Sequence, residues 1–207
     1  GVLVREYRQG GYEDIVIVAS GSSYNAAACA RLFMQKVLGC RVILISPFQF
    51  VHAENEVKEK ELVIAVSQSG YSRNTIEALD LIREKGRKAI ALTGDMNSDI
   101  RDHADLLLDF GAGTETVGYV TKGVCALTLY LILFALGAAV ETGKLSQEGK
   151  ADWESQICRI PSIHCQVQEK FEAYFEQYLD IFTSMQHVYV CACGSSLGTG
   201  MEAALKI

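Results

Sequence analysis

The chain has 207 residues, 49% of them apolar and 21% charged, with a net charge of −6. That is the balance of a soluble globular protein with room for one large domain or two small ones. No run of more than two adjacent basic residues occurs, which excludes nucleic acid as a main partner, since a basic stripe is its usual footprint. Any anion site must therefore rest on backbone N–H groups and hydroxyls. Seven cysteines (29, 40, 125, 158, 165, 191 and 193) form no C-x-x-C pair and sit largely in apolar segments. They read as reduced thiols in a cytoplasmic protein, not as disulfides or metal ligands.

In chain order, short apolar runs alternate with helical patterns, as in a parallel sheet with crossover helices. Strands are predicted at Ile15–Ala19, Arg41–Ile45, Leu62–Val66, Lys88–Leu92 and Asp105–Asp109, and helices at Ser23–Leu38, Pro47–Glu54, Asn74–Glu84 and Ser98–His103. Ser46-Pro47 has the form of an N-cap followed by proline at the first helical position. A long apolar helix follows over about Gly118–Glu141. Its 18 uncharged residues, Gly123–Val140, reach the lower edge of membrane-spanning length. The close flanks Lys122 and Glu141 favour a helix buried against the sheet, and no membrane association is expected.

The polar stretch Thr142–Asp152 suggests a boundary. Beyond it, Ile160–Met185 reads as one amphipathic helix whose apolar stripe, including Val167, Phe171, Tyr174, Phe175, Tyr178 and Phe182, suits packing between units. Val188–Leu197 then repeats Ile15–Tyr24, a strand running into Gly-Ser-Ser, 173 positions further on. The division predicted is a first unit over 1–150, a linking helix over 151–186, and over 187–207 the opening of a second unit that the sequence does not complete. An unsupported final helix would seek a neighbouring molecule, so a homodimer is expected.

The ends of strands one and three carry the chemistry. Strand one runs into Ser20-Gly-Ser-Ser23, and strand three into Ser67-Gln-Ser-Gly70 followed by Tyr71-Ser-Arg-Asn-Thr75. Open parallel sheets bind ligands beyond the carboxyl ends of their strands, at the switch in strand order. An order of 2-1-3-4-5 would bring these two loops to one crevice. There a phosphate could be held by Ser23, Ser67, Gln68, Ser69 and Ser72 together with helix N-terminal N–H groups.

Other motifs carry less. Neither loop fits G-x-G-x-x-G and no acidic residue closes Ile43-Leu-Ile-Ser46, so a dinucleotide cofactor is not expected. Gly194-Ser-Ser-Leu-Gly198 fits a nucleophile elbow, but the Asp and His of a triad should follow it and do not. Asp95-x-Asn97-x-Asp99 lacks the glycine and closing glutamate of a calcium loop. His52-x-Glu54 has no Pro-Cys-x-x-Cys partner, and no metal site is expected.

Gly21-Ser-Ser-Tyr24, Ser67-Gln-Ser-Gly70 and Glu115-Thr-Val-Gly-Tyr-Val-Thr-Lys-Gly123 resemble the three marks of the sugar isomerase (SIS) domain. The layout is similar to its tandem form, as in the isomerase half of glucosamine-6-phosphate synthase and in fructosamine-6-phosphate deglycases. The resemblance implies a three-layer α/β sandwich on a five-stranded, flavodoxin-like parallel sheet. It also implies a sugar phosphate held by Ser23, Ser67, Gln68, Ser69 and Ser72, with Ser22 nearby, and no cofactor. Tyr71 stands where the synthase has Glu, which bears on the choice of sugar, and the Glu115 segment is closer to the deglycases. Met201-Glu-Ala-Ala-Leu-Lys-Ile207 resembles a synthase helix that continues into Lys-Glu, whose Glu is the base for aldose–ketose proton transfer. Lys206 matches that helix's active-site lysine. The resemblance thus implies an enzyme of isomerisation, amino transfer or deglycation, with these 207 residues silent by themselves. The alternative is the phosphosugar-sensing module of a regulator.

Overall fold

The computed structural model describes residues 1–113, 115–116 and 119–207. Five strands, β1 (Asp14–Val18), β2 (Val42–Ile45), β3 (Glu61–Ser67), β4 (Ile90–Thr93) and β5 (Leu106–Asp109), form one sheet in the order 2-1-3-4-5. Every pairing is parallel, with Ile17 beside Leu44 on one flank and Ile64 on the other. Such a sheet needs both faces covered, and its side chains alternate between two apolar layers. Ile15, Ile17, Leu62, Ile64, Ile90 and Leu92 enter one layer. Val16, Val18, Val63, Ala65 and Ala91 enter the other.

The first layer is closed by α1 (Val2–Gly10), α2 (Gly21–Leu38) and α5 (Lys122–Glu141). The second is closed by α3 (Pro47–His52), α4 (Arg73–Glu84) and a short 3-10 turn at Asp99–His103. Helix α3 begins as its sequence indicates: Pro47 opens it and Ser46 Oγ accepts from Gln49 N at 3.2 Å. Helix α1 is not in the sequence reading. It is polar on average, and only Leu3 and Tyr7, one turn apart, are buried; Tyr7 meets Phe134 of α5 edge-on with ring centroids 5.9 Å apart. Helix α5 is long and apolar enough to cross a membrane by length and composition alone. Here Leu127, Leu131, Phe134 and Ala135 bury it in the layer it shares with α2. The expected start of this helix at Gly118 lies outside the described residues, as does Val117.

Past α5 the chain departs from expectation. The stretch read as a boundary enters α6 (Gln147–Cys158), capped by Ser146 and packed through Trp153 on Phe33 of α2, ring centroids 4.9 Å apart. The single helix expected over Ile160–Met185 is two, α7 (Ile160–Gln177) and α8 (Leu179–Ser184), interrupted at Tyr178. Neither buries a residue; Phe171 stacks on Phe175, Tyr174 meets Tyr178, and Phe182 of α8 meets both Tyr174 and Phe175. Residues 188–193, expected as a strand, have no sheet partner. Extended backbone without a neighbour leaves its N–H and C=O groups unpaired, and no strand forms. Helix α9 (Leu197–Lys206) follows.

Two carboxylates stitch the sheet's amino-terminal edge. Asp14 accepts from the backbone and guanidinium of Arg41, each at 2.9 Å. Asp105 accepts from Ala89 N at 2.8 Å and from Arg83 Nε at 3.0 Å. The Arg41 hydrogen bond first for Asp14, and the Ala89 N–H first for Asp105, hold both below the ordinary aspartate value of 3.8. A depressed folded value adds stability that is complete above the unfolded value and disappears as pH falls through the folded one. Urea midpoints should therefore drop on acidification from pH 7 to about pH 3. Asp105→Asn should start lower at pH 7 and drop less; an unaltered pH dependence would refute this role.

Candidate functional site

At the carboxyl ends of β1 and β3 the chain leaves the sheet in opposite directions and opens a crevice of about 760 Å³. Ser22, Ser23, Ser67, Gln68, Ser69 and Ser72, all singled out from sequence, line it together. Strand β1 turns at Ser20 and Gly21 into α2, and β3 turns through residues 68–72 into α4. Neither N-terminus is capped by a side chain or carries an acidic residue in its first turn. Two positive helix ends thus face the same space with N–H groups available to an anion.

The loop after β3 is shaped from within. Ser67 Oγ, buried, accepts from Gly70 N at 3.1 Å, so it holds the turn as well as facing the crevice. Ser69 Oγ accepts from Tyr71 N at 3.3 Å, and Ser72 Oγ accepts from Thr75 Oγ1 at 3.0 Å. Gly70 has φ +72°, and a Cβ there would lie 1.7 Å from Ser98 Oγ. The Ser-Gln-Ser-Gly turn is therefore confined to glycine by conformation and by space. Gln68 is fixed by its carbonyl, which accepts from Gly94 N at 3.0 Å, and by the bare face of Gly123, where a Cβ would lie 2.0 Å from its Oε1.

Helix α5 also begins at the crevice, but its end is occupied. The Glu115 carboxylate accepts from Gly123 N at 3.1 Å and Thr121 N at 3.3 Å. The Gly123 N–H first, then Thr121, Gln68 and Lys122, hold it below the ordinary glutamate range. This end is closed to a phosphate, whereas those of α2 and α4 are open. Asp95 and Asp109 complete the rim, and no Lys or Arg is among the described residues lining the crevice. The cradle is one of hydroxyls and helix dipoles, as composition required.

Sequence reasoning leaves α9 adrift, and the structure corrects this. Gly198 is buried against α2, where a Cβ would lie 2.5 Å from Asn25 O and 2.6 Å from Cys29 N. The helices of the two Gly-Ser-Ser repeats thus pack directly on each other. This docking brings in Glu202, which the sequence reading did not single out. Its carboxylate accepts from Ser22 Oγ at 2.9 Å and Asn25 Nδ2 at 2.8 Å, and pairs with Lys206 Nζ at 3.3 Å. Burial pushes the Glu202 carboxyl up, but Asn25, Ser22 and Lys206 together bring it below its ordinary value. Lys206 does not line the crevice. It stands 5.5 Å from the Tyr119 ring centroid, a cation–π contact, beside an apolar groove between α5, α7 and α9. The nearest sequence signal for Glu202 was its spacing of four from Lys206 on one helix face.

A doubly wound parallel sheet with hydroxyl-lined helix ends at its switch point defines an α/β domain of the flavodoxin-like class. Residues 12–136 match the SIS domain, and the chain belongs to that family. It is 26% identical to the glutamine–fructose-6-phosphate aminotransferase (isomerizing) of Thermococcus kodakarensis, covering 95% of this chain and 33% of that protein. The chain therefore spans about a third of the length of the curated relatives it matches. Among solved structures, a Clostridium difficile 630 protein assigned as a phosphosugar isomerase superposes with a TM-score of 0.79 at 28% identity, over 86% of this chain and 51% of that one. The C-terminal domain of glucosamine-fructose-6-phosphate aminotransferase from Francisella tularensis shares the fold at a TM-score of 0.87 and 23% identity, over 98% of this chain and 56% of that one.

Proposed function

We propose that this chain is the phosphate-gripping part of a tandem-SIS enzyme acting on a hexose or aminohexose phosphate by aldose–ketose isomerisation, amino transfer or deglycation. The observation that carries this is the convergence of two uncapped helix N-termini and six hydroxyl or amide side chains on one crevice whose described lining includes no Lys or Arg. A phosphate fits that cradle, because N–H dipoles and O–H donors satisfy its oxygens without a cation. Ser22, Ser23, Ser67, Gln68, Ser69 and Ser72 are the proposed ligands, and Lys206, beside Glu202, is the proposed catalytic group. An ion pair tied to the crevice by Ser22 favours an enzyme over a sensor.

The proposed division is a first unit over 1–150, connecting helices over 151–186 and the opening of a second unit over 187–207. Its supports are the Gly-Ser-Ser repeat, the strand-like but unpaired residues 188–193, and the exposed apolar stripe of α7. A second unit would pair that strand and cover that stripe, and most of the catalytic apparatus would then lie in it. The proposed setting is the reducing cytoplasm, in keeping with seven free thiols, and the proposed assembly is a homodimer.

Calorimetry with glucose 6-phosphate, glucosamine 6-phosphate and unphosphorylated glucose tests the reading. Three charge-assisted hydrogen bonds at about 1.5 kcal/mol each imply roughly a thousandfold preference for the phosphorylated sugars. Equal affinity for glucose and its 6-phosphate would sink the proposal. Deuterium wash-in at C2 in heavy water, catalysed by the protein with its second unit complete and not by these 207 residues by themselves, then distinguishes an isomerase from a binder.

A further inference from the structure

Glu202 is held from two sides of its carboxylate by one helix of the phosphate cradle. Ser22, at the start of α2, donates to Oε1, and Asn25, one turn later, donates to Oε2. The two donors differ in reach. Ser22 lines the crevice, whereas Asn25 is only 5% exposed and does not.

We propose that Asn25 is a positioning residue, whose amide keeps the Glu202 carboxylate, and through it the Lys206 ammonium, seated on the start of α2 beside the crevice when Ser22 turns its hydroxyl to the bound phosphate. This rests on the crevice being a sugar-phosphate site. A serine hydroxyl carries one proton, and in this structure Ser22 gives it to Glu202. A phosphate oxygen is an acceptor and can be served by Ser22 only if that bond is released. Glu202 then keeps two of three partners: Asn25, which the phosphate cannot reach, and Lys206 on its own helix. Without Asn25, no donor on α2 would hold the carboxylate, which would be free to swing off α2 with Lys206, farther into the groove that both already line.

Among the described residues lining the groove, none replaces Asn25 as a donor on α2. The titratable groups that share that groove with Glu202 are Lys206 and the thiols of Cys29, Cys125 and Cys158, with Tyr119 beneath Lys206. No second cation is among these groups, so the neutral donors of α2 decide where the carboxylate sits. The depressed pKa of Glu202, with Asn25 the largest of the lowering contributions, agrees with this geometry.

The test is carbon-13 NMR of glutamate-labelled full chain, following the Glu202 carboxyl through an acid titration, with glucose 6-phosphate as the binding probe. In Asn25→Ala the Glu202 titration should move to higher pH. Affinity for glucose 6-phosphate should change by less than about threefold, as for a residue outside the crevice. An unmoved titration in a folded variant overturns the proposal, and so does a tenfold loss of affinity, which would make Asn25 a ligand. If Asn25→Ala does not fold, the unaltered chain still decides. Its Asn25 side-chain amide resonances should follow the Glu202 titration and keep their hydrogen-bonded shift when glucose 6-phosphate is added; indifference to that titration overturns the proposal. Failure of the unaltered chain to bind glucose 6-phosphate, with the titration still moved in Asn25→Ala, would sustain the Asn25–Glu202 contact and remove only the sugar-phosphate reading.

Discussion

Removing the hydroxyls of Ser67 and Ser69 together is expected to weaken glucose 6-phosphate binding by at least about a hundredfold, with glucose itself unaffected. Hydrogen bonds to a charged acceptor are worth about 1.5–3 kcal/mol each, so two sum to about 3–6 kcal/mol, or two to four orders of magnitude in dissociation constant. The single variants should separate binding from architecture. Ser69 is exposed and accepts only from the neighbouring Tyr71 N–H, so Ser69→Ala should lower affinity and leave the urea midpoint in place. Ser67 is buried and serves Gly70 N, and its loss leaves a buried donor unmatched at a cost of about 1–3 kcal/mol. Ser67→Ala should therefore lower both affinity and stability. Calorimetry beside urea denaturation reads the two effects. Full affinity in the double variant would show that the phosphate, if bound, lies elsewhere.

Why these loops were legible in the sequence, while the contact beside them was not, is a matter of range. Strands β1 and β3 are continuous apolar runs that end abruptly in Ser and Gly, and periodicity with punctuation is local information. The 2-1-3-4-5 order under which the two loops would meet, the flavodoxin-like order that the resemblance implies, is the order found, and it places all six crevice residues side by side. Helix α1 escaped although its apolar and polar residues segregate strongly to opposite faces, because its nine residues are fewer than the window over which helical periodicity is read. Residues 188–193 misled for the opposite reason. Their local pattern copies β1, but a strand exists only with a partner, and pairing is not local. The apolar ladder of α7 was legible as a pattern although it stays exposed, its rings meeting one another, Tyr178, and Phe182 of α8.

Glu115 and Glu202 show the same limit at the site. Glu115 carries no role in the sequence reading beyond its place in the third mark of the resemblance. The structure gives it one, closing the N-terminus of α5. Three helix ends meet at the crevice, and that carboxylate decides which two are left for an anion. Glu202 could not be read as a site residue without knowing that α9 lies on α2. That docking turns on the absence of a side chain at Gly198.

Gly198→Ala is accordingly expected to free α9 while leaving the sheet intact. The added Cβ would meet Asn25 O at 2.5 Å and Cys29 N at 2.6 Å. Both are backbone atoms within α2 and cannot swing aside, so the helix must lift. Overpacking of this kind costs about 1–3 kcal/mol, which corresponds to roughly ten- to hundredfold faster amide hydrogen exchange along α9. Gly198 is the only buried residue of α9, so the urea midpoint of the sheet should hardly move. Lifting α9 also withdraws Glu202 from Ser22 and Asn25, and the Glu202 titration should rise toward the ordinary glutamate range in the same variant. Thr199→Ala is the control: it is exposed and keeps α9 free of any clash, at the loss of one weak contact to Cys29 Sγ at 3.7 Å. Unchanged exchange along α9 in Gly198→Ala would mean that the helix is not seated on α2 in solution. The Ser22–Glu202–Lys206 connection would then have to be abandoned, while the hydroxyl cradle formed by β1, β3 and their loops would still stand.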